Sequence, residues 1–221
     1  MRPNPRPNLF HLLNAGGQLP PDLAPQLEEV GRAAFLRLAD RLGLDGVDAA
    51  LYVSPWTIPE TGLVGNAPDG HSVHVAVTPG SPHFRAGWRR ELPATLAHEL
   101  HHARRWRHAD LGTLLDALVF EGLALHFEAG ERGEVPLYAR PTSDLDGLWK
   151  RAQAQLDGPY EYHAWFMGSA AQDLPRWGGY ALGFELVRRF LNGAGGDAVT
   201  HAAIPSEDLR HAWGQAVTAG G

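Results

Sequence analysis

An α+β fold is predicted for this chain by the order of its segments. Short apolar stretches of strand length all lie before Pro82. Beyond that point the apolar residues recur at helical spacing, and no internal repeat is present. The expected architecture is a small N-terminal mixed sheet with one long helix, followed by a mainly helical second half.

Taken in order, Met1 to Pro7 is rich in Pro and Arg and is expected to fray, while Asn8 to Asn14 has the length of a short strand. Gly16 to Pro21 is a turn by its Gly and Pro content. Asp22 is a suitable N-cap for a helix reaching about Leu44, with Leu23, Leu27, Val30, Phe35, Leu36 and Leu38 as its apolar surface. Val47 to Val53 reads as a strand and Pro59 to Gly70 as a loop. His71 to Val77 alternates most clearly, with Val73, Val75 and Val77 on one face and Ser72, His74 and Ala76 on the other. A polar face of this kind suits a sheet edge, where an extended peptide can add as a further strand.

The next helix is predicted to start between Arg90 and Pro93, since proline fits a first turn, and to end near Arg107. Arg104, Arg105 and Arg107 read as a solvated basic end that suits the helix dipole. Leu111 to Glu128 forms another helix, on which Leu114, Leu118, Glu121 and Leu125 make an apolar stripe with one carboxylate inside it. An unpaired charge there is costly, so Glu121 needs a cation, a metal or a cleft. Gly122 leaves room for a neighbouring helix. Further on, Leu137 to Ala139 reads as extended, and Leu145 to Leu156, Tyr160 to Ala170 and Tyr180 to Leu191 as helices, with short helical pieces in Asp197 to Ala203 and Ser206 to Trp213.

Composition narrows the function. The formal net charge of -6 argues against nucleic-acid binding through bulk electrostatics. No cysteine is present, which excludes a thiol nucleophile and confines any metal site to His, Asp and Glu. There is no signal-peptide pattern, and no apolar run approaches the roughly 18 residues of a membrane span. A cytoplasmic protein with no membrane partner is expected.

The chemistry centres on His98-Glu99-Leu100-His101-His102, which fits H-E-x-x-H. On a helix, His98 and His102 stand one turn apart, where both imidazoles reach one zinc ion, and Glu99 is placed to take a proton from a water activated there. A third ligand is required, and three residues compete. Glu121 is favoured, 19 residues after His102 and at the centre of the following helix. His108 nearly completes the longer pattern H-E-x-x-H-x-x-G-x-x-H, but Arg105 stands where that pattern has its helix-breaking glycine, and six residues of helix turn a side chain roughly 240° away. His126 is expected to face elsewhere on the helix of Glu121.

Leu96-Ala97-His98-Glu99-Leu100-His101-His102, Phe120-Glu121-Gly122-Leu123-Ala124 and Gly179-Tyr180-Ala181-Leu182-Gly183 together resemble a bacterial family of predicted zinc-dependent proteases, a domain of unknown function. More broadly they resemble the gluzincins, the thermolysin-like metallopeptidases. The similarity runs from about Ala24 to Trp213. It implies a single zincin-like domain over residues 22–213, between a loosely attached segment 1–21 and a tail 214–221. It also implies Zn2+ held by His98, His102 and Glu121, with Glu99 as general base in peptide-bond hydrolysis. Thermolysin-like enzymes carry an aspartate four residues past the ligand glutamate; this chain has Leu125 there, leaving Asp116, Glu128, Asp110 or a backbone carbonyl to orient the first histidine.

An oxyanion donor is also needed. Tyr180, inside the resembling motif, is the candidate, with Tyr162 and His163 as competitors. His101 is read as lying behind the ligands or at the surface, and Trp165, Phe166 and Met167 as core. The peptide or protein substrate is expected along strand 71–77. Two other functions are compatible with the motif: a zinc amidase acting on a non-peptide amide, and a non-catalytic zincin-like domain that binds a peptide or partner.

Overall fold

The computed structural model describes residues 6–109, 111–140 and 144–214. Residues 1–5 of the N-terminal segment, Asp110 and residues 215–221 of the expected tail lie outside the described residues. The chain divides into two units, Met1–Arg107 and His108–Gly221.

In the first unit, strands β1 (Leu9–Leu13), β2 (Asp48–Val53), β3 (Leu63–Asn66) and β4 (Ser72–Val77) form one mixed sheet in the order β1-β2-β4-β3. β1, β2 and β4 run parallel, with Phe10 opposite Ala49 and Leu51 opposite Val75, and β3 returns antiparallel to β4. The parallel pair β1 and β2 needs a crossover, which helix α1 (Ala24–Arg41) provides. Alternation sends Phe10, Ala49, Leu51, Val73, Val75 and Val77 into the core, where Leu27, Phe35 and Leu38 of α1 are also buried. Leu9 and Leu13 on the opposite side of β1 stay exposed.

α1 begins two residues after the expected Asp22. Its N-cap is Leu23, without a side-chain cap, because the Pro20 carbonyl already accepts the Leu23 and Ala24 N–H groups. Strand β3 lies within the stretch expected to be a loop. Four residues including Gly65 and Asn66 carry too little apolar alternation to announce a strand, and pairing with β4 is what makes them one. Consequently β4 is no edge: it sits between β2 and β3, so strand 71–77 has no open side for a peptide. β3 is one of the two edge strands, β1 being the other, with Ile58 bridged across from Leu63 at its start.

Helix α2 (Pro82–Trp106) is 25 residues long and starts well before the expected Arg90 to Pro93. Ser81 caps it, its side chain accepting from the Phe84 N–H, and Pro82 occupies the first turn. Pro93 therefore falls in the helix interior, where its ring removes one backbone bond. The extra turns persist because Phe84, Trp88 and Leu92 are buried and outweigh that loss. The basic end is not a solvated face either. Arg105 is fully buried, and Arg107 donates from Nε to the Gly70 carbonyl at 2.8 Å and from Nη2 to the Asp45 carbonyl at 2.7 Å.

The second unit is helical: α3 (Leu114–Arg132), α4 (Leu145–Gln153), α5 (Tyr162–Met167) and α6 (Gly178–Ala194). Thr113 and Asp116 form a reciprocal capping box at the start of α3. α3 packs along α6, and Gly122 is the point of closest approach: a Cβ there would lie 2.6 Å from the Gly183 carbonyl carbon and 2.7 Å from Val187 Cγ2. Residues 137–139 form a 3₁₀ turn rather than an extended piece. Gly178 and Gly179 lie inside the first turn of α6 rather than before it. Residues 198–203 are turns, and the C-terminal pieces at Ser206–Leu209 and Ala212–Gly214 are 3₁₀.

Candidate metal centre

The helical spacing of His98 and His102 works as expected. Both sit on the buried side of α2, 8% and 6% exposed, with ring centroids 4.4 Å apart and planes at 90°. Glu99, next to His98, is 6% exposed. On α3, Leu114, Leu118 and Leu125 are fully buried and Glu121, inside the same stripe, is 5% exposed. One ligand atom from each of His98, His102 and Glu121 lies within 4.8 Å of the others, and this is the one such group of three among the described residues. Three ligand atoms on one tetrahedral zinc stand about 3.4 Å apart, so the group is close to the span of a single ion. Two imidazoles and a carboxylate are a donor set that zinc accepts in catalytic sites.

Other histidines fall away from this group. His108 is exposed in the turn after α2. His126 stacks on the Phe184 ring at 4.1 Å and shares its Nε2 with the Phe184 carbonyl at 2.9 Å. Burial holds its imidazole below the usual pKa, against the opposing effect of that hydrogen bond. His101 is fully buried rather than at the surface, because its side of α2 faces the core.

Around Glu121 a cluster of phenols gathers. Tyr162 donates its hydroxyl to Glu121 Oε1 at 3.1 Å, and its oxygen lies 3.1 Å from the Tyr180 hydroxyl. The two tyrosines meet because both pack on Phe166: Tyr162 stacks on that ring at 4.5 Å and Tyr180 meets it edge-on at 5.0 Å. Tyr162 is 42% exposed as a residue, while its hydroxyl reaches the buried carboxylate. Desolvation, and next the Glu121 charge, push the Tyr162 phenol far above its ordinary pKa. The same two causes, in the same order, raise Tyr160, so both phenols stay protonated.

In the sequence Tyr162 stands only as a rival to Tyr180, and nothing there shows that the two touch. A separation of 41 residues between Tyr162 and Glu121 carries no periodic signal. The Tyr-x-Tyr pair at 160 and 162, ahead of a short aromatic helix, is the available hint. His163 is exposed on α5; Trp165 and Phe166 are core, but Met167 is 40% exposed. Of the acids expected to replace one at Leu125, Asp116 serves the α3 cap, accepting from the Thr113 hydroxyl at 2.7 Å and the Thr113 N–H at 3.1 Å. Burial acts to raise its pKa, but these bonds and others outweigh it and hold it below the ordinary value. Glu128, fully buried, accepts from Arg132 Nη2 at 2.7 Å and from the Tyr138 hydroxyl.

No helix among the described residues is long and apolar enough to cross a membrane. No curated protein and no solved structure matches the chain. One family model does, over residues 54–211, a span that includes α2, α3, α5 and α6 and with them His98, Glu99, His102, Glu121 and Tyr180. By that match, and in keeping with its buried His-His-Glu group, the chain belongs to the family described as predicted Zn-dependent protease (DUF2268).

Proposed function

We propose that this chain is a zinc peptidase of gluzincin type, with His98, His102 and Glu121 as ligands and Glu99 as general base. The observation that carries the reading is the buried three-residue group, whose donor atoms lie within 4.8 Å of one another. Zinc held there supplies Lewis acidity, lowering the pKa of a water and polarising a carbonyl oxygen. Glu99 takes the proton of the attacking water on its carboxylate and returns a proton to the leaving amine. Tyr162 gives its one hydroxyl proton to Glu121, so at rest Tyr180 donates to the Tyr162 oxygen; as the oxyanion develops, Tyr180 turns that proton from Tyr162 to it.

The substrate is a peptide or protein, proposed to lie along β3 rather than β4, since only an edge offers an open side to an added strand and β3 is the edge against which α2 and Glu99 pack. We take residues 22–213 as one catalytic domain, supported by a family match that runs unbroken from 54 to 211. The cytoplasm is the proposed compartment, where a cysteine-free chain is indifferent to reducing conditions.

The test is elemental analysis of tag-free protein, paired with hydrolysis of a peptide library. Wild type should hold about one zinc per chain, and Glu121→Ala, lacking one of three ligands, should lose it. Glu99→Gln should keep zinc while turnover falls about a hundredfold or more. Wild-type protein that stays metal-free after reconstitution would overturn the reading. Full activity in Glu99→Gln would remove the proton-transfer role.

A further inference from the structure

We propose that Gly65, on the edge strand β3, is a positioning residue that sets where the Glu99 carboxylate lies. The proposal rests on the peptidase reading for its functional consequence, but its geometry belongs to the first unit alone. Gly65 pairs with Val75, which is 1% exposed, so in an antiparallel ladder both positions face the same side of the sheet. α2 packs on β3 and β4. A Cβ at residue 65 would stand 2.6 Å from Glu99 Cδ, and Oε1 and Cγ would be closer still. Carbon atoms in contact prefer about 3.5–4.0 Å, so side chain and carboxylate exclude each other.

Glycine at this position is not there for its backbone freedom. Gly65 has no positive φ, so any residue could adopt the strand conformation. What matters is the missing side chain. The Glu99 side chain occupies space that the Cβ of any other residue at position 65 would fill. Because Cγ is crowded as well as the carboxylate, a small tilt of the acid group gives no relief, and Glu99 must change rotamer. At 6% exposure it has little space into which to turn. A general base works only within hydrogen-bond reach of the proton it takes, so a displaced carboxylate no longer serves. The edge strand thereby does more than limit the sheet: its one glycine fixes the base relative to the backbone edge.

The experiment is a cycle of Gly65→Ala, Glu99→Ala and the double variant, read by zinc affinity, thermal midpoint and peptide hydrolysis. Gly65→Ala should bind zinc within a few-fold of wild type, since the atoms nearest the new methyl belong to Glu99 and not to a ligand. Its hydrolysis should fall about a hundredfold or more. Its midpoint should drop by about 2 °C with Glu99 present and by much less in Glu99→Ala, where the space is vacated. Wild-type turnover in Gly65→Ala would overturn the proposal, and so would an equal midpoint loss in both backgrounds. Should zinc-loaded wild type cleave no peptide, the peptidase reading fails by itself, and the midpoint cycle still decides whether Gly65 and Glu99 exclude each other.

Discussion

Gly65 of the first unit and Gly122 of the second are each a glycine inside a regular element, yet they make room for different things. At Gly122 a Cβ would run into the Gly183 carbonyl carbon at 2.6 Å, which is backbone of α6. At Gly65 it would run into the side chain of Glu99. Backbone of a packed helix cannot step aside without moving the helix; a side chain can rotate away. Gly122 therefore protects a fold, and Gly65 protects the placement of one acid.

The substitution expected to act most strongly on stability is Gly122→Ala. Helix propensity favours alanine by about 1 kcal/mol, but the overlap with α6 opposes it, and overpacking of this kind costs about 3 kcal/mol. A net loss near 2 kcal/mol is expected in urea unfolding, about the difference of those two effects. A gain in stability would show that α3 and α6 are not in contact at this point. Together with Gly65→Ala, which should spare most of the stability and remove most of the activity, the pair separates fold from chemistry.

A smaller effect should follow from removing single hydroxyls near Glu121. Tyr162→Phe takes away a hydrogen bond to a proposed ligand, and such partners are worth about 10–100-fold in metal affinity. Tyr180→Phe leaves Glu121 its bond from Tyr162, so zinc should stay bound while turnover falls. Competition with a chelator, alongside initial rates, distinguishes the two. Equal zinc affinities in both variants would take Tyr162 out of the ligand's support and place it with the substrate.

The smallest effect concerns the α3 cap, on the same helix as Gly122 but at its start, where Asp116 is half-buried. Asp116→Asn should cost about 1 kcal/mol. The folded-state pKa of Asp116 is depressed, so its contribution is present above the unfolded-state value of about 3.9 and is lost as pH falls through the lower folded value. Wild type should therefore lose its advantage over Asp116→Asn only in strong acid. An unfolding midpoint difference that is unchanged down to about pH 2 would contradict the assignment.

Much of this molecule is legible locally. The i,i+4 spacing of His98 and His102 and the Leu114-Leu118-Glu121-Leu125 stripe each lie on one helix, where backbone geometry alone decides which side chains share a face. That geometry puts two imidazoles on one face of α2 and one carboxylate inside the apolar stripe of α3. Alternation likewise determined strand β4, and Gly122 the close approach of a helix. Local rules misplaced the start of α2, because a proline compatible with a first turn is also tolerated inside a helix whose earlier turns bury Phe84 and Trp88.

Tertiary structure alone decided three matters. It brought Glu121, and not His108, to the two histidines; it made a strand of Leu63–Asn66 and so moved the sheet edge from β4 to β3; and it joined Tyr162 to Tyr180 and Glu121. Each depends on contacts between segments far apart in the chain, which periodicity cannot encode. A four-residue strand with a glycine at its centre gains its conformation from its neighbour, and the same glycine gains its meaning from the acid on the helix beside it.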